Sequence, residues 1–210
     1  MTKTKTTIFI LIIVACIAII GYPFVKNLIK NDDPLSSNTA EQVTLSKGDN
    51  IVGKDLQPGF YDVKASSTKL SFMGIELSEN DTLLGQYFDN EEHVIIEGNG
   101  NVKLSPAKFN TLSSSKGGKY LIQHSGFYIV GKQIPQGDYK LSYFTKNKKT
   151  VDTKPFIQVL PKYGGNPLQT IQFEKKENYD ITLKEGNILQ VSKNLFEENN
   201  NIVVELKAER

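Results

Sequence analysis

The chain has one cysteine, two histidines and a formal charge of only +2, and each scarcity removes a class of protein. Cys16 lies near the N-terminus, so the remainder of the chain forms no disulfide of its own. His93 and His124 have no second His, Cys or carboxylate at a recognised metal-ligand spacing; Glu91-Glu92-His93 comes nearest, and it reads as a solvated strand end. Charge this close to neutral argues against a nucleic-acid partner, which needs Lys and Arg clustered on one surface. Ser125 follows His124 without a nucleophile motif around it, and the glycines beside Lys54 and Lys132 are not in phosphate-loop order, so both lysines read as exposed turn residues. The sequence therefore offers no catalytic residue, no cofactor and no metal ligand, and the chain is expected not to be an enzyme.

What is present begins with a balance of 39% hydrophobic and 23% charged residues, which suits a folded chain rather than a disordered one. Residues 7–25, TIFILIIVACIAIIGYPFV, carry no charge and are flanked by Lys3, Lys5, Lys26 and Lys30. As a helix rising about 1.5 Å per residue this stretch spans roughly 28 Å, the depth of a bilayer's hydrocarbon core. The expectation is an uncleaved transmembrane helix over 7–25 in the cell membrane, with residues 1–6 as a cytoplasmic tail and everything after the helix outside the cytoplasm. No small-x-small cleavage site follows Gly21. Ile13-Val14-Ala15-Cys16 resembles a bacterial lipobox, so a surface lipoprotein anchored through Cys16 is the alternative. Small and polar residues then predict a juxtamembrane stalk through residues 26–46.

The soluble part contains its own alignment. IVGKDLQPGFYDV at 51–63 returns without a gap as IVGKQIPQGDYKL at 129–141. This predicts two β repeats, 47–111 and 120–210, joined by a linker at 112–119. In each, a short apolar run leads through a turn into a period-two strand, with Tyr61, Val63 and Ala65 on one face, matched by Tyr139, Leu141 and Tyr143. Pro58-Gly59 suits the centre of a type II turn. Later, Val94 and Ile96 before a Gly/Asn turn and Val102 and Leu104 after it match Ile181 and Leu183, then Leu189 and Val191, if the second copy carries extra residues around 145–153. Further strands are expected over 70–75, 83–88, 156–160, 170–173 and 202–206. No long amphipathic helix follows residue 31. The fold class is accordingly mostly β: two tandem small antiparallel β-sandwich or barrel-like repeats after an N-terminal transmembrane helix.

The string Val-Gly-Lys-(Asp/Gln)-(Leu/Ile)-x-x-Gly-x-Tyr, present in both copies, resembles repeats of exported or membrane-anchored proteins from low-GC Gram-positive bacteria, whose usual form is Val-Gly-Lys-Asp-Ile-Pro-Ala-Gly-Xaa-Tyr. The first copy departs from it by Gln57-Pro58 and the second by Gln133. The resemblance implies location and β architecture and no catalytic residue. Together with anchor and stalk it points to a protein that presents duplicated β domains at the cell envelope for binding or scaffolding, with the membrane engaged through 7–25 and an envelope protein or anionic cell-wall polymer as partner. The candidate contact to such a polymer is the unrepeated TKNKKT at 145–150 with its neighbours: Lys140, Lys146, Lys148, Lys149 and Lys154. Tyr61, Tyr128, Tyr139 and Phe127 offer either a sugar-stacking face or core, and their strand spacing favours core. An envelope enzyme or accessory subunit, its site assembled from scattered polar residues, is the reading from a different class.

Overall fold

The computed structural model describes residues 38–67, 69–115, 117–146, 153–174 and 176–209. The expected tail, the apolar segment 7–25 and Lys148 and Lys149 lie outside these residues. Among the described residues there is no helix, and none is long and apolar enough to cross a membrane. The protein is mostly β, and residues 39–210 form one compact unit in which the sheets curl over two apolar cores.

In the first copy the strands are β1 (Val43–Ile51), β2 (Gly59–Ala65), β3 (Leu70–Phe72), β4 (Ile75–Leu77), β5 (Thr82–Phe88) and β6 (His93–Pro106). The long β6 bends at Gly98-Asn99-Gly100. Its first half pairs with the end of β1 and with β3, its second half with the start of β1 and with β2. The alternation of apolar residues across the bend therefore points Val94 and Ile96 from one layer and Val102 and Leu104 from the other into a shared interior, all at most 1% exposed. Tyr61, Val63 and Ala65 close it from β2 at 0%.

The second copy uses β7 (Ser114–Ser115), β8 (Lys119–Ile122), β9 (Ser125–Ile129), β10 (Gly137–Thr145), β11 (Phe156–Leu160), β12 (Gln169–Gln172), β13 (Tyr179–Leu183), β14 (Ile188–Ser192) and β15 (Ile202–Ala208). Its pairings repeat those of the first, but β1 has become β8 and β9, and the bend in β6 has become a break between β14 and β15. The repeated phrase folds alike in both. Gly53 N–H donates to the Leu56 carbonyl at 2.7 Å, as Gly131 does to Ile134. The Asp55 carboxylate accepts from Ile51 N–H at 2.8 Å, and Gln133 Oε1 accepts from Ile129 N–H at 2.9 Å. Asp and Gln interchange here because each puts an oxygen within reach of that amide. Tyr61 and Tyr139 donate their hydroxyls to carbonyls four residues upstream, those of Gln57 and Pro135, at 2.7 and 2.8 Å.

Several expectations are corrected. Strand β1 starts at Val43, inside the stretch assigned to a stalk, and Leu45 is 4% exposed; Val43 and Leu45, the two apolar residues of the strand that fall in that stretch, are too few to register against their polar surroundings. The linker 112–119 is structured as well: Leu112 N–H donates to the Gln133 carbonyl at 2.9 Å, and Ser114–Ser115 pairs with β8. Residues 70–75 make a two-strand hairpin rather than one strand. Met73 and Gly74 turn it with φ of +51° and +82°, a turn that Met does not advertise. Gly59, at φ +143°, opens β2 instead of filling a type II turn, and the reversal falls earlier, around Gly53.

The later register of the duplication also changes. Val52 N–H bonds the Glu92 carbonyl as Val130 N–H bonds that of Asn187, so Val94 corresponds to Leu189 and Ile96 to Val191; Ile181 and Leu183 belong to the counterpart of β5. Period-two patterns look the same in successive hairpins, which let the sequence slip by one strand. The extra residues of the second copy fall in three places: before β11, between β11 and β12 (161–168), and between β14 and β15 (193–201).

The copies are joined by strand pairing. β9 runs parallel to β5, Leu83 opposite Ser125 and Leu84 opposite Gly126, which fuses strands of both copies into one ten-stranded sheet. Gly126 sits at φ +149°, and a Cβ there would lie 2.3 Å from the Leu84 carbonyl oxygen. Its counterpart Gly48 has φ +143° with nothing within 4 Å. Both substitutions to alanine incur backbone strain of about 1–3 kcal/mol, but only Gly126→Ala adds a collision with a fixed backbone. Denaturant melts are expected to show Gly126→Ala destabilised by at least about 2 kcal/mol more than Gly48→Ala; equal losses would mean the parallel pairing does not hold the copies.

Candidate functional site

Among the described residues four buried polar groups, Asp81, Ser125, Lys193 and Glu198, gather where the copies meet, while Gln133 and Asn187 serve turns within the second copy. On the copy-1 side, β2 and β5 shift register between Tyr61 and Val63, which leaves the Gly85 amide off the ladder. The Asp62 carboxylate takes it instead, at 3.0 Å, and also accepts from Lys108 N–H at 3.3 Å. Desolvation raises the Asp62 pKa, against those two hydrogen bonds and the charges of Lys108 and His124.

On the copy-2 side the inserted segment 193–201 turns back across the first copy. Glu76 N–H donates to the Phe196 carbonyl at 2.7 Å, and Glu198 N–H donates to the Glu76 carbonyl at 2.9 Å, so this segment covers the edge of β4. The Asn200 amide donates to Asp81, itself 2% exposed. Behind this strap, Lys193 Nζ lies 2.6 Å from Glu198 Oε1, and both side chains are 0% exposed. Lys193 Nζ also donates to the Gln123 carbonyl at 2.5 Å, while Ser125 N–H donates to Glu198 at 3.3 Å. Burial lowers the Lys193 pKa and raises that of Glu198, and the pairing opposes both shifts. Glu198 Oε2 and His124 Nδ1 are buried without a hydrogen-bond partner. A closed ion pair of this kind is out of reach of a substrate, and its geometry holds the strap rather than performing chemistry.

An aromatic cluster completes the junction. Tyr163, from the inserted loop 161–168, packs at a tilt against Phe60 at 4.8 Å and Phe127 at 5.3 Å, and its hydroxyl donates to the Gly85 carbonyl at 3.2 Å. Phe109 meets Phe60 edge-on at 5.6 Å, and Tyr87 lies 4.7 Å from Phe60. None of these rings is repeated: pairing places Asp138 at the position of Phe60, Thr182 at that of Tyr87 and Asp49 at that of Phe127. That difference between otherwise matched copies was the signal available in the sequence. Lys193, Glu198, Asp62 and Tyr163 were missed because their role appears only when the second copy is folded onto the first.

The sequence candidates are dispersed. Lys146 and Lys154 are exposed on either side of 147–152. Lys140 is six residues from Lys146 along β10, roughly 20 Å away at strand spacing, and it faces Asp180 at 3.8 Å and Glu209 at 3.7 Å. The strand thus separates Lys140 from Lys146. Lys54 and Lys132 are exposed, in line with turn residues. His93 meets Asp49 at 2.9 Å, and Glu92 accepts from Asp89 N–H; among the described residues no group of three or more His, Cys, Asp or Glu is placed to hold a metal ion. Tyr61, Tyr128 and Tyr139 are core residues, at most 2% exposed.

Compared with known proteins, the chain matches no family model and no curated protein.

Two outcomes are expected of the junction. Glu198→Gln leaves the Lys193 amine buried without its counter-ion and costs about 3–5 kcal/mol, while the double change Lys193→Met with Glu198→Leu costs clearly less; chemical denaturation of the three proteins measures both. Burial, with Lys193 and Lys146 nearby, holds the His124 pKa below its ordinary 6.5, against Asp81 and Asp62. The unfolded chain then takes up a proton first, so His124 contributes stability that is complete above pH 6.5 and is lost as pH falls through that value. Asp62 and Glu198, with raised pKa values, act in the opposite sense in the carboxylate range. The His124→Asn protein should therefore show a shallower fall in melting temperature than the parent between about pH 7.5 and 5.5; parallel profiles would remove His124 from this role.

Proposed function

We propose that this protein is a non-enzymatic, membrane-anchored binding or scaffolding module, held outside the cytoplasm by the apolar segment 7–25 and presenting its two β copies, each a small antiparallel sandwich-like unit, to the cell envelope. The observation that carries this reading is the use of the buried charged groups. Lys193, Glu198, Asp62 and Asp81 are engaged with one another, with Asn200 or with backbone amides at the junction, in the service of joining the copies. What remains for interaction is the outer surface of one body. The resemblance of the repeated phrase to repeats of exported and membrane-anchored Gram-positive proteins supports the location. Lys146 and Lys154, exposed at the two ends of the unrepeated 147–152, support a contact with an anionic wall polymer there, together with Lys148 and Lys149.

The test uses the full chain in a Gram-positive host. Fractionation should place it in the membrane, protease added to intact cells should digest the β copies, and the native N-terminus should precede residue 7 rather than start at a lipidated Cys16. Isolated cell walls should retain the protein. Because each basic residue near an anionic surface contributes about 1 kcal/mol, changing Lys146, Lys148, Lys149 and Lys154 to Gln should weaken retention at least tenfold. A cytoplasmic, protease-protected protein would overturn the location, and unchanged retention would overturn the lysine contact.

A further inference from the structure

The two copies differ at one equivalent edge. In the first, β5 is paired on both sides, by β2 and by β9 of the second copy. In the second, its counterpart β13 is paired by β10 alone, and among the described residues no strand lies on its other side. The Asp180 carbonyl faces that way and is met by a side chain, Gln169 Nε2 at 3.2 Å. Alternation along an antiparallel strand turns the Thr182 backbone in the same direction. Along this edge runs a groove of about 250 Å³, lined by Asp138, Asp180, Thr182 and Glu209 on its polar side and by Val159 and Leu168 on its apolar one. Leu168 is 62% exposed, and the lining contains three carboxylates and no cation. Lys140, between Asp180 and Glu209, offsets part of that charge.

We propose that the outer edge of β13 is a strand-acceptor site for an extended peptide carrying Lys or Arg at alternate positions, which adds to the sheet as β9 adds to β5. The ladder supplies the backbone bonds, and alternation puts every second side chain on the face of Asp180 and Thr182, where basic groups meet the carboxylates. The β5–β9 pairing shows that this edge of the repeat tolerates an added strand without losing its core. A second copy of the chain fits less well. Its β1 would bring Asp49 to the position of Phe127 and place it beside Asp138 at the position of Phe60, two carboxylates where the junction has two rings around Tyr163. This inference rests on the reading of the protein as a binding module and names the chemistry of one partner.

The experiment uses the full chain in detergent micelles and three labelled ten-residue probes: alternating Lys and Val, alternating Glu and Val, and the Lys probe with two valines replaced by Pro. Fluorescence anisotropy should show the Lys peptide bound at least about tenfold more tightly than either other probe, since Glu reverses the charge and Pro removes ladder donors. Thr182→Pro and, separately, Asp180→Lys should each weaken the Lys peptide by at least about tenfold. Asp180→Lys changes an exposed side chain and keeps the test valid if the proline variant does not fold. Equal binding of the Lys and Glu probes, no binding of the Lys probe, or insensitivity to Asp180→Lys would overturn the site. Concentration-dependent oligomers in sedimentation that Asp180→Lys abolishes would assign the edge to a second copy and equally overturn the peptide. Membrane fractionation and wall retention read the broader function separately, so the peptide site can fail while that reading stands.

Discussion

The structure depends on one short parallel pairing, β5 with β9, and on the close backbone approach at Gly126 that permits it. Four residues in register join two small β units into a single sheet, and two of the three insertions of the second copy serve that contact. The loop 161–168 delivers Tyr163 to the rings of Phe60 and Phe127. The segment 193–201 crosses to β4 and buries Lys193 with Glu198 on the way. A pairing so short cannot hold two bodies alone, and the aromatic cluster with the closed ion pair supplies the rest.

The electrostatics follow from the same closure. Water is excluded from Lys193 and Glu198, so their charges are tolerable only together, and removing one leaves a cost that the other cannot disperse. His124 is held toward its neutral form by burial and by the charges of Lys193 and Lys146, against those of Asp81 and Asp62. The junction is thus specific as well as apolar: Lys193, Glu198 Oε1 and Asp81 find their partners in this relative placement of the copies and would be stranded in another.

The sequence made the repeated scaffold legible and the junction illegible. Strand faces such as Tyr61, Val63 and Ala65 or Tyr139 and Leu141 could be read because alternation is a local property, and β11 spans the expected 156–160. The duplicated phrase likewise announced equivalent turns. Register between distant strands was not local, so Leu189 was first matched to Val102 and not to Val94, its true counterpart. Strands are hidden where few apolar residues stand among polar ones, as in Val43–Ile51 and Ser114–Ser115. The buried pair was beyond reach because Lys193 and Glu198, read in VSKNLFEENNN, have the composition of an exposed loop. Contrasts between the copies such as Phe60 with Asp138 and Phe127 with Asp49 point toward an interface, since an aromatic on the outward face of a half-buried strand requires cover.

Gly48 gives the duplication a direction. It keeps nearly the backbone angle of Gly126, yet nothing approaches it, and its neighbours are Lys47 and Asp49 where β9 has Ser125 and Phe127. The geometry for accepting another unit has survived at the first copy while the side chains that would weld it have not. Unlike a solenoid, whose identical interfaces let units be added or removed, these two copies meet through rings and a strap that the edge at Gly48 does not repeat. The protein is a repeat in ancestry and a single indivisible object in its physics.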